Sequence, residues 1–191
     1  MAATTEFTSH KTDIPGLIWF DVTRIEDDRG WYQENFQKAK LVAAGLPASF
    51  NPVQNNISYN KMRGVIRGFH AEPWDKYISI ISGKVFVSYV DLRAGESFGR
   101  TANLELDNSK AVFLPRGVGN SFQTLEGDTY YLYCVNDFWS SKLYDKYLFV
   151  NLADPDINTP WPFPLEQSVM SDRDKSHPFL KDIQPFRTDN G

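Results

Sequence analysis

The hydrophobic residues of this chain fall in short runs, separated by turn residues at intervals of about ten positions. Runs rich in β-branched and aromatic residues predict strands. A succession of short strands with Gly, Pro, Asp and Asn between them indicates an all-β antiparallel sandwich or barrel. The predicted strands cover residues 17–22, 53–59, 77–81, 85–90, 101–106, 111–114, 121–125 and 129–135.

Turn signals and helical patterns complete this outline. Ser82-Gly83 and Gly127-Asp128 predict tight hairpins between neighbouring strands. A short helix is predicted over residues 38–44, and a last polar turn with a short helix over 171–180. Residues 1–13 are polar and predict a flexible N-terminal arm. We therefore expect a single domain over residues 14–191 with only a few short helices.

Composition excludes several classes of protein. The net charge is −4 without any block of like charge, which argues against a nucleic-acid partner. The single cysteine, Cys134, excludes an intramolecular disulfide and a cysteine-based zinc site. No run approaches the length of a membrane span, and the N-terminus lacks an apolar signal-peptide core. The expectation is a cytoplasmic protein with no membrane partner.

The stretch over residues 64–76 is the strongest candidate for chemistry. It contains His70, the only histidine outside the two ends of the chain, with Arg67 before it and Lys76 after it. A base beside two cations suits proton abstraction from a substrate that is, or becomes, an anion. The structural alternative stays open, because a lone histidine on a strand is more often a hydrogen-bonded core residue.

A regular strand would separate the two ends of this motif. Arg67 and His70 have opposite parity, so their side chains would face opposite sides of a sheet. Both reach one pocket only if the strand bulges or bends, and Gly68 is the best place for that irregularity.

Four further segments carry groups that could contribute to a site. Residues 28–34 offer a cation, aromatic rings and a carboxylate, and residues 54–56 offer amides. Phenols and a stacking surface occur over 130–139, and acids over 171–174. Each segment also has a structural explanation, since tyrosines on strands usually pack and acidic turns are usually solvated.

The histidines do not predict a metal centre. His10 lies in the N-terminal arm and His177 in the tail, so nothing pairs with His70 at ligand spacing. A three-ligand metal site is therefore not expected. No phosphate loop or dinucleotide fingerprint occurs either.

Seven short motifs follow one another in a fixed order along the chain. They are Asp28-Arg29-Gly30, Gln54-Asn55-Asn56, Arg67-Gly68-Phe69-His70, Val90-Asp91-Leu92-Arg93, Phe113-Leu114-Pro115-Arg116-Gly117, Asp154-Pro155 and Ser171-Asp172-Arg173-Asp174. No single motif is specific, but the combination over residues 14–180 resembles the dTDP-4-dehydrorhamnose 3,5-epimerase family.

The resemblance implies a fold and an activity. The fold is a cupin-type jelly roll that needs no metal and no cofactor. The substrate is a dTDP-linked 4-keto-6-deoxyhexose, inverted at C3 and C5 through an enolate. The implied assembly is a homodimer with exchanged N-terminal strands, in which each site borrows residues from its neighbour.

The resemblance also implies roles for individual residues. His70 matches the family's catalytic base, and Asp174 matches the acid paired with it. Lys76 matches the lysine beside the substrate carbonyl, although the loop from His70 is shorter than usual, and Tyr133 matches the catalytic phenol. The positions that match substrate or nucleotide contacts are Arg29, Tyr32, Glu34, Gln54, Asn56, Arg67, Asn120 and Trp139.

One departure from the family pattern bears on activity. Asn120 stands where the family often has histidine, and an amide hydrogen-bonds but takes up no proton. Two alternatives stay open: a single-centre epimerase or ketoisomerase on a related nucleotide sugar, and a non-catalytic sugar-nucleotide-binding cupin. The joint presence of His70, Lys76, Tyr133 and Asp174 favours an enzyme.

Overall fold

The computed structural model describes residues 5–187 and consists mainly of β-strands. In chain order the strands are β1 (Phe7–Lys11), β2 (Ile18–Val22), β3 (Arg24–Asp27), β4 (Gly30–Gln33), β5 (Gln54–Asn60), β6 (Ile66–Ala71), β7 (Lys76–Ser82), β8 (Val85–Asp91), β9 (Thr101–Leu106), β10 (Lys110–Leu114), β11 (Val118–Thr124), β12 (Thr129–Val135) and β13 (Leu148–Phe149). The helices are α1 (Lys38–Ala43), α2 (Asp172–Lys175) and 3₁₀ turns at Ser141–Lys146, Leu165–Gln167 and Leu180–Asp182.

These strands form two larger antiparallel sheets and one hairpin. The first sheet has the order β1-β2-β10-β7-β12-β5, the second has the order β13-β6-β11-β8-β9, and β3 pairs with β4 in a separate hairpin. Successive strands such as β11 and β12 lie in different sheets, so the chain crosses between the layers as in a jelly roll. The predicted all-β, cupin-type jelly roll with a few short helices is confirmed.

Both predicted hairpins are wrong. The turns at Gly83 and Gly127 are corners where the chain leaves one sheet for the other: β7 pairs with β10 and β12, whereas β8 pairs with β9 and β11. Ile78 on β7 and Val87 on β8 belong to one buried cluster between the layers. Each strand therefore buries one face against the opposite sheet, a long-range effect that overrides the local turn signal.

The N-terminal segment is more ordered than predicted. Strand β1 pairs with β2 from Phe7 opposite Val22 to Lys11 opposite Ile18. His10 on this strand stacks on Trp19 at a ring separation of 3.8 Å. An edge strand needs only one neighbour and tolerates a polar sequence, so polarity alone does not make an arm flexible. Residues 1–4 of the predicted arm lie outside the described residues.

Packing outside the sandwich fixes the helices and the tail. Helix α1 is confirmed, and its buried Leu41 packs with Phe50 and Tyr77 over the outer face of the first sheet. The segment after β13 packs on the second sheet, where Val150 and Leu180 meet Ile66 of β6. Among residues 5–187, no helix has the length and apolar character needed to cross a membrane.

Candidate active site

A cavity of about 200 Å³ opens between the two sheets and is lined by five of the predicted site residues, which are Arg67, His70, Lys76, Asn120 and Tyr133. Both layers contribute, because the inward faces of the strands alternate with their outward faces. The second sheet supplies Arg67, His70, Asn120 and Phe122, and the loop after β6 supplies Glu72. The first sheet supplies Ser58, Lys76, Tyr131 and Tyr133.

A β-bulge at Gly68 brings Arg67 and His70 to the same cavity. Asn120 pairs with His70 and Phe122 pairs with Arg67, so two residues of β6 oppose one residue of β11 between them. Gly68 has a φ of 123°, and a Cβ there would lie 2.5 Å from the carbonyl oxygen of Asn120. The position therefore requires glycine, and the predicted bulge is confirmed.

His70 is held by a carboxylate from the tail of the chain. Its Nε2 lies 2.9 Å from Oδ1 of Asp174, whose side chain is 6% exposed. Ser171 caps α2 by accepting a hydrogen bond from the backbone N–H of Asp174, which fixes the carboxylate beside β6. A hydrogen bond at Nε2 leaves Nδ1 as the ring nitrogen able to accept a proton.

The carboxyl group of Asp174 is ionised despite its position. Burial opposes ionisation, but hydrogen bonds from His70, Ser171 and His177 and the charge of His70 outweigh burial. The pKa of Asp174 is therefore held below its ordinary value. An ionised partner favours the imidazolium that forms when His70 takes up a proton.

Lys76 and Tyr133 face the cavity from the first sheet. On neighbouring strands, Tyr133 pairs with Ile78, two residues beyond Lys76, so the two side chains share the inner face. Lys76 is 5% exposed at its side chain and forms an ion pair with Glu72. Its ammonium lies 5.3 Å from the centroid of the Tyr133 ring.

The phenol of Tyr133 is a proton donor at neutral pH. Burial is the main cause that raises its pKa, the negative charge of Glu72 adds to it, and Arg67 opposes it. Because its pKa is raised, the hydroxyl of Tyr133 stays protonated at pH values at which an ordinary tyrosine begins to ionise.

Aromatic packing closes the inner end of the cavity. The rings of Phe122 and Tyr131 stack at a centroid separation of 4.3 Å, one from each sheet. The hydroxyl of Tyr131 donates to Oδ1 of Asn120 at 3.3 Å. Asn120 lies on β11 and pairs with His70 of the neighbouring strand β6, so both side chains face the cavity from the second sheet.

The predicted amide positions lie on the same inner face. Asn56 pairs with Tyr133 across β5 and β12. Nε2 of Gln54 donates to Oδ1 of Asn56 at 2.9 Å, and Oε1 of Gln54 accepts from the backbone N–H of Trp139 at 3.0 Å. The Trp139 ring itself is exposed. This row leads from the phenol of Tyr133 to the rim of the sheet.

Three predicted residues lie away from the cavity. Arg29 and Tyr32 are exposed on the β3–β4 hairpin, and Arg29 forms an ion pair with Asp27. Glu34 instead forms an ion pair with Lys40 of α1. Within one chain, these side chains do not join His70 and Tyr133 in the cavity.

The prediction that no histidine accompanies His70 is wrong. Nε2 of His177 lies 3.2 Å from the same Oδ1 of Asp174, and the three groups offer ligand atoms within 4.8 Å of one another. His177 follows Asp174 by three residues, and the turn after α2 returns its ring to the carboxylate. Both imidazole contacts have hydrogen-bond length. The expectation that no metal is needed stays a prediction.

The sequence reasoning missed several residues around the cavity. Glu72 lies two residues after His70, so strand alternation would have placed both side chains on the same side. It also lies four residues before Lys76, and the opposite charges could have predicted their ion pair. Ser58 lies two residues after Asn56 on β5, so the two-residue period of a strand would have placed both side chains on the same face. The sequence could not predict Phe149, because its contact with His70 depends on the pairing of β13 with β6.

Comparison with known proteins shows the family of this chain. The family model described as dTDP-4-dehydrorhamnose 3,5-epimerase matches residues 11–182. A protein named RmlC homolog from Streptococcus pyogenes is 47% identical over 179 residues, covering 92% of this chain and 90% of the relative. A dTDP-4-dehydrorhamnose 3,5-epimerase from Shigella flexneri is 32% identical over 172 residues, covering 86% and 91%.

A solved structure matches the fold over nearly the whole chain. It is RmlC from Streptococcus suis in complex with dTDP-D-xylose, which is 47% identical, covers 95% of each chain and superposes with a TM-score of 0.90. The family model, the relatives and the fold agree, and the chain belongs to the dTDP-4-dehydrorhamnose 3,5-epimerase family of isomerases.

Proposed function

We propose that this protein inverts C3 and C5 of dTDP-4-dehydro-6-deoxyglucose to give dTDP-4-dehydrorhamnose, with His70 as base and Tyr133 as acid. One observation carries the assignment of roles. A histidine paired with a buried carboxylate stands on one sheet, and a buried lysine beside a phenol stands on the other, around one cavity. The cavity therefore offers a base and an acid from different directions.

The first step is proton abstraction. Carbons beside the C4 carbonyl carry acidic hydrogens, and Nδ1 of His70 accepts one of them. The hydrogen bond to Asp174 fixes the ring with its proton on Nε2, so that Nδ1 is free. The electron pair of the broken C–H bond forms a double bond to C4, and the π pair of the carbonyl moves to O4, which gives the enolate.

Lys76 stabilises the charge that develops on O4. Its ammonium is buried, so it acts in surroundings of low dielectric constant where a charge interaction is strong. Glu72 neutralises the ammonium in the free protein. The pair costs less to bury than a lone cation, and the arriving enolate oxygen can share the ammonium with Glu72.

Tyr133 completes the inversion. Its hydroxyl donates a proton to the carbon from the face opposite His70, and the phenolate regains a proton from solvent. The imidazolium of His70 releases its proton to solvent, so that both groups are reset before they act on the second carbon. The same two groups serve C3 and C5 in turn, and the protons and charges balance without a redox cofactor.

The nucleotide is proposed to lie along the row of polar groups. Arg67 reaches the cavity from β6 and its Nε donates to Oδ1 of Asn60 at 3.1 Å, which leaves further guanidinium donors for a diphosphate. Gln54, Asn56 and Trp139 continue toward the rim. Asn120 is proposed to bind the sugar beside His70.

A homodimer with exchanged N-terminal strands is proposed to supply the remaining contacts. The β3–β4 hairpin pairs with no other strand among residues 5–187 and exposes Trp31 and Tyr32. The outer face of β5 also exposes Ile57 and Tyr59. Apolar groups on an edge strand and on a projecting hairpin suit contact with a second copy of the chain.

Asn120 supports one alternative, a single-centre epimerase. The amide cannot take up a proton, so any relay through this position is absent. The proposed mechanism needs no such relay, because Nδ1 of His70 and the hydroxyl of Tyr133 suffice for either carbon.

We also propose that the protein acts in the cytoplasm.

One incubation tests the proposed reaction. The protein is mixed with dTDP-4-keto-6-deoxyglucose in heavy water, and deuterium and configuration are followed at C3 and C5 by proton NMR. Inversion with deuterium at both carbons is expected. Inversion at C3 alone would identify the single-centre alternative, and binding without exchange would identify a non-catalytic protein.

A further inference from the structure

The carboxylate beside the proposed base serves two histidines. Oδ1 of Asp174 lies 2.9 Å from Nε2 of His70 and 3.2 Å from Nε2 of His177. We propose that His177 is a positioning residue: it holds this oxygen of Asp174 and thereby fixes the tautomer and orientation of His70. The inference rests on the proposed role of His70 as base.

Packing around His177 gives its ring one orientation. Its side chain is 7% exposed, and its ring stacks on Phe149 at a centroid separation of 4.7 Å. The same Phe149 meets His70 edge-on at 5.4 Å. One aromatic ring therefore contacts both histidines, and their ring planes are 82° apart. The stacked ring of Phe149 and the low exposure of His177 leave its Nε2 directed at Asp174 rather than at solvent.

Burial favours the neutral form of His177. It is the largest cause that lowers the pKa of His177, Arg173 on α2 lowers that pKa further, and Asp174 opposes the shift; His70 on β6 adds to the lowering when its own ring carries a proton. Phe149 on β13 brings no charge. A neutral imidazole donates from only one nitrogen, so contact with an ionised carboxylate requires the proton on Nε2.

The result is a carboxylate oxygen that accepts from two N–H groups at once. With Oδ1 held by His177, Asp174 cannot rotate away, and His70 keeps its Nε2–H bond when substrate enters. Nδ1 of His70 then always faces the reaction as a free acceptor. This arrangement reduces the reorganisation needed before proton abstraction.

Two substitutions separate the hydrogen bond from the packing. His177→Phe keeps a ring against Phe149 but removes the donor, whereas His177→Gln removes the ring but keeps an N–H near the position of Nε2. His10→Ala is the matched control. His10 lies on β1 in the first sheet, and its Nε2 makes an exposed contact of 2.7 Å with a carboxylate oxygen of Asp21, so the variant removes a histidine–carboxylate pair elsewhere in the fold. Epimerisation kinetics are measured for each variant.

The nitrogen NMR spectrum of the imidazoles provides a readout independent of turnover. The chain has three histidines, so selective labelling gives three ring systems that the variants assign. In the wild type, His70 is expected as the pure Nε2–H tautomer. His177→Phe should give mixed tautomers of His70 and lower kcat about tenfold, with KM within about twofold. His177→Gln should restore both properties, and His10→Ala should leave them unchanged.

The contradicting results are equally definite. A pure Nε2–H tautomer of His70 in His177→Phe, whatever its kcat, would overturn the positioning role. Failure of His177→Gln to restore the tautomer would assign the effect to packing and also overturn it. If one variant does not fold, the other still reports on the donor. Absence of epimerisation by the wild type would instead refute the proposed function and leave the NMR comparison intact.

Discussion

The ammonium of Lys76 lies 5.3 Å from the centre of the Tyr133 ring, and both groups face the cavity from adjacent strands of one sheet. This relationship links the two steps of the proposed reaction. The cation proposed to stabilise the enolate lies next to the phenol proposed to reprotonate it. The proposed base, His70, stands on the opposite sheet, which would place the substrate ring between proton acceptor and proton donor.

Removing the charge of Glu72 should change the pH dependence of inversion. Glu72 raises the pKa of Tyr133, so the alkaline limb of the inversion rate should move to lower pH in Glu72→Gln. The variant should also lose about 3 kcal/mol of stability, because Lys76 is left as a buried charge without its partner. Rate profiles from pH 6 to 11, about the range that spans tyrosine ionisation, test this.

Glu105→Gln is the control for that experiment. Glu105 forms an ion pair with Lys84 that is much more exposed, so its loss should change neither the alkaline limb nor stability by more than about 1 kcal/mol. An identical alkaline limb in Glu72→Gln and wild type would show that the limb does not report Tyr133.

Replacing Gly68 by alanine should disrupt the bulge that aligns Arg67 with His70. The added Cβ would lie 2.5 Å from the carbonyl oxygen of Asn120, in a backbone with φ of 123°. We expect a loss of about 3 kcal/mol in urea unfolding, together with loss of activity.

Gly95→Ala separates backbone strain from collision. Gly95 has a φ of 133°, yet nothing lies within 4 Å of the position its Cβ would take. This variant should lose only about 1 kcal/mol and remain active. Equal losses in the two variants would mean that the close approach of β6 to β11 contributes nothing.

Chelation should leave the reaction rate unchanged. His70 and His177 contact Asp174 at hydrogen-bond distances, and the buried Lys76 is the proposed source of positive charge near O4. We therefore expect full activity after exhaustive dialysis against EDTA and 1,10-phenanthroline. Loss of activity that zinc, iron or manganese restores would reassign His70, Asp174 and His177 as metal ligands.

Mixing two inactive variants should test the exchange of the N-terminal region. If Arg29 serves the site of its partner, Arg29→Ala and His70→Asn are each inactive alone. A mixed dimer then has one site with both wild-type groups, because the His70→Asn chain supplies Arg29. Recovery of up to about one quarter of wild-type activity is the expected result after co-refolding at equal amounts, since about half the dimers are mixed. No recovery, despite confirmed mixed dimers, would place Arg29 in its own chain's site.

The sequence predicted the parts of this protein that depend on local chemistry. Strand periodicity located β5, β7, β8 and β12, and the parity conflict between Arg67 and His70 predicted the bulge at Gly68. Motif order identified Lys76 and Asp174 as members of one site, which the cavity and the hydrogen bond to His70 support. These inferences needed only neighbouring residues or a resemblance.

Long-range pairing was not accessible in the same way. The turn at Gly83 has the composition of a hairpin, but the two flanking strands pack across the core instead of pairing. The sequence places His177 far from His70, and this distance hides the return of the chain that brings both histidines to Asp174. Both errors arise where tertiary burial, rather than local preference, decides the structure.

The most direct test follows exchange and inversion together in Tyr133→Phe. The substitution removes one hydroxyl from a half-buried ring and keeps the packing, so His70 can still remove a proton and return deuterium to the same face. His70→Asn serves as the comparison and should do neither. In heavy water, Tyr133→Phe is predicted to incorporate deuterium at C3 or C5 and to form little inverted product. Inversion at nearly the wild-type rate would contradict the account and assign the second proton to another group or to water.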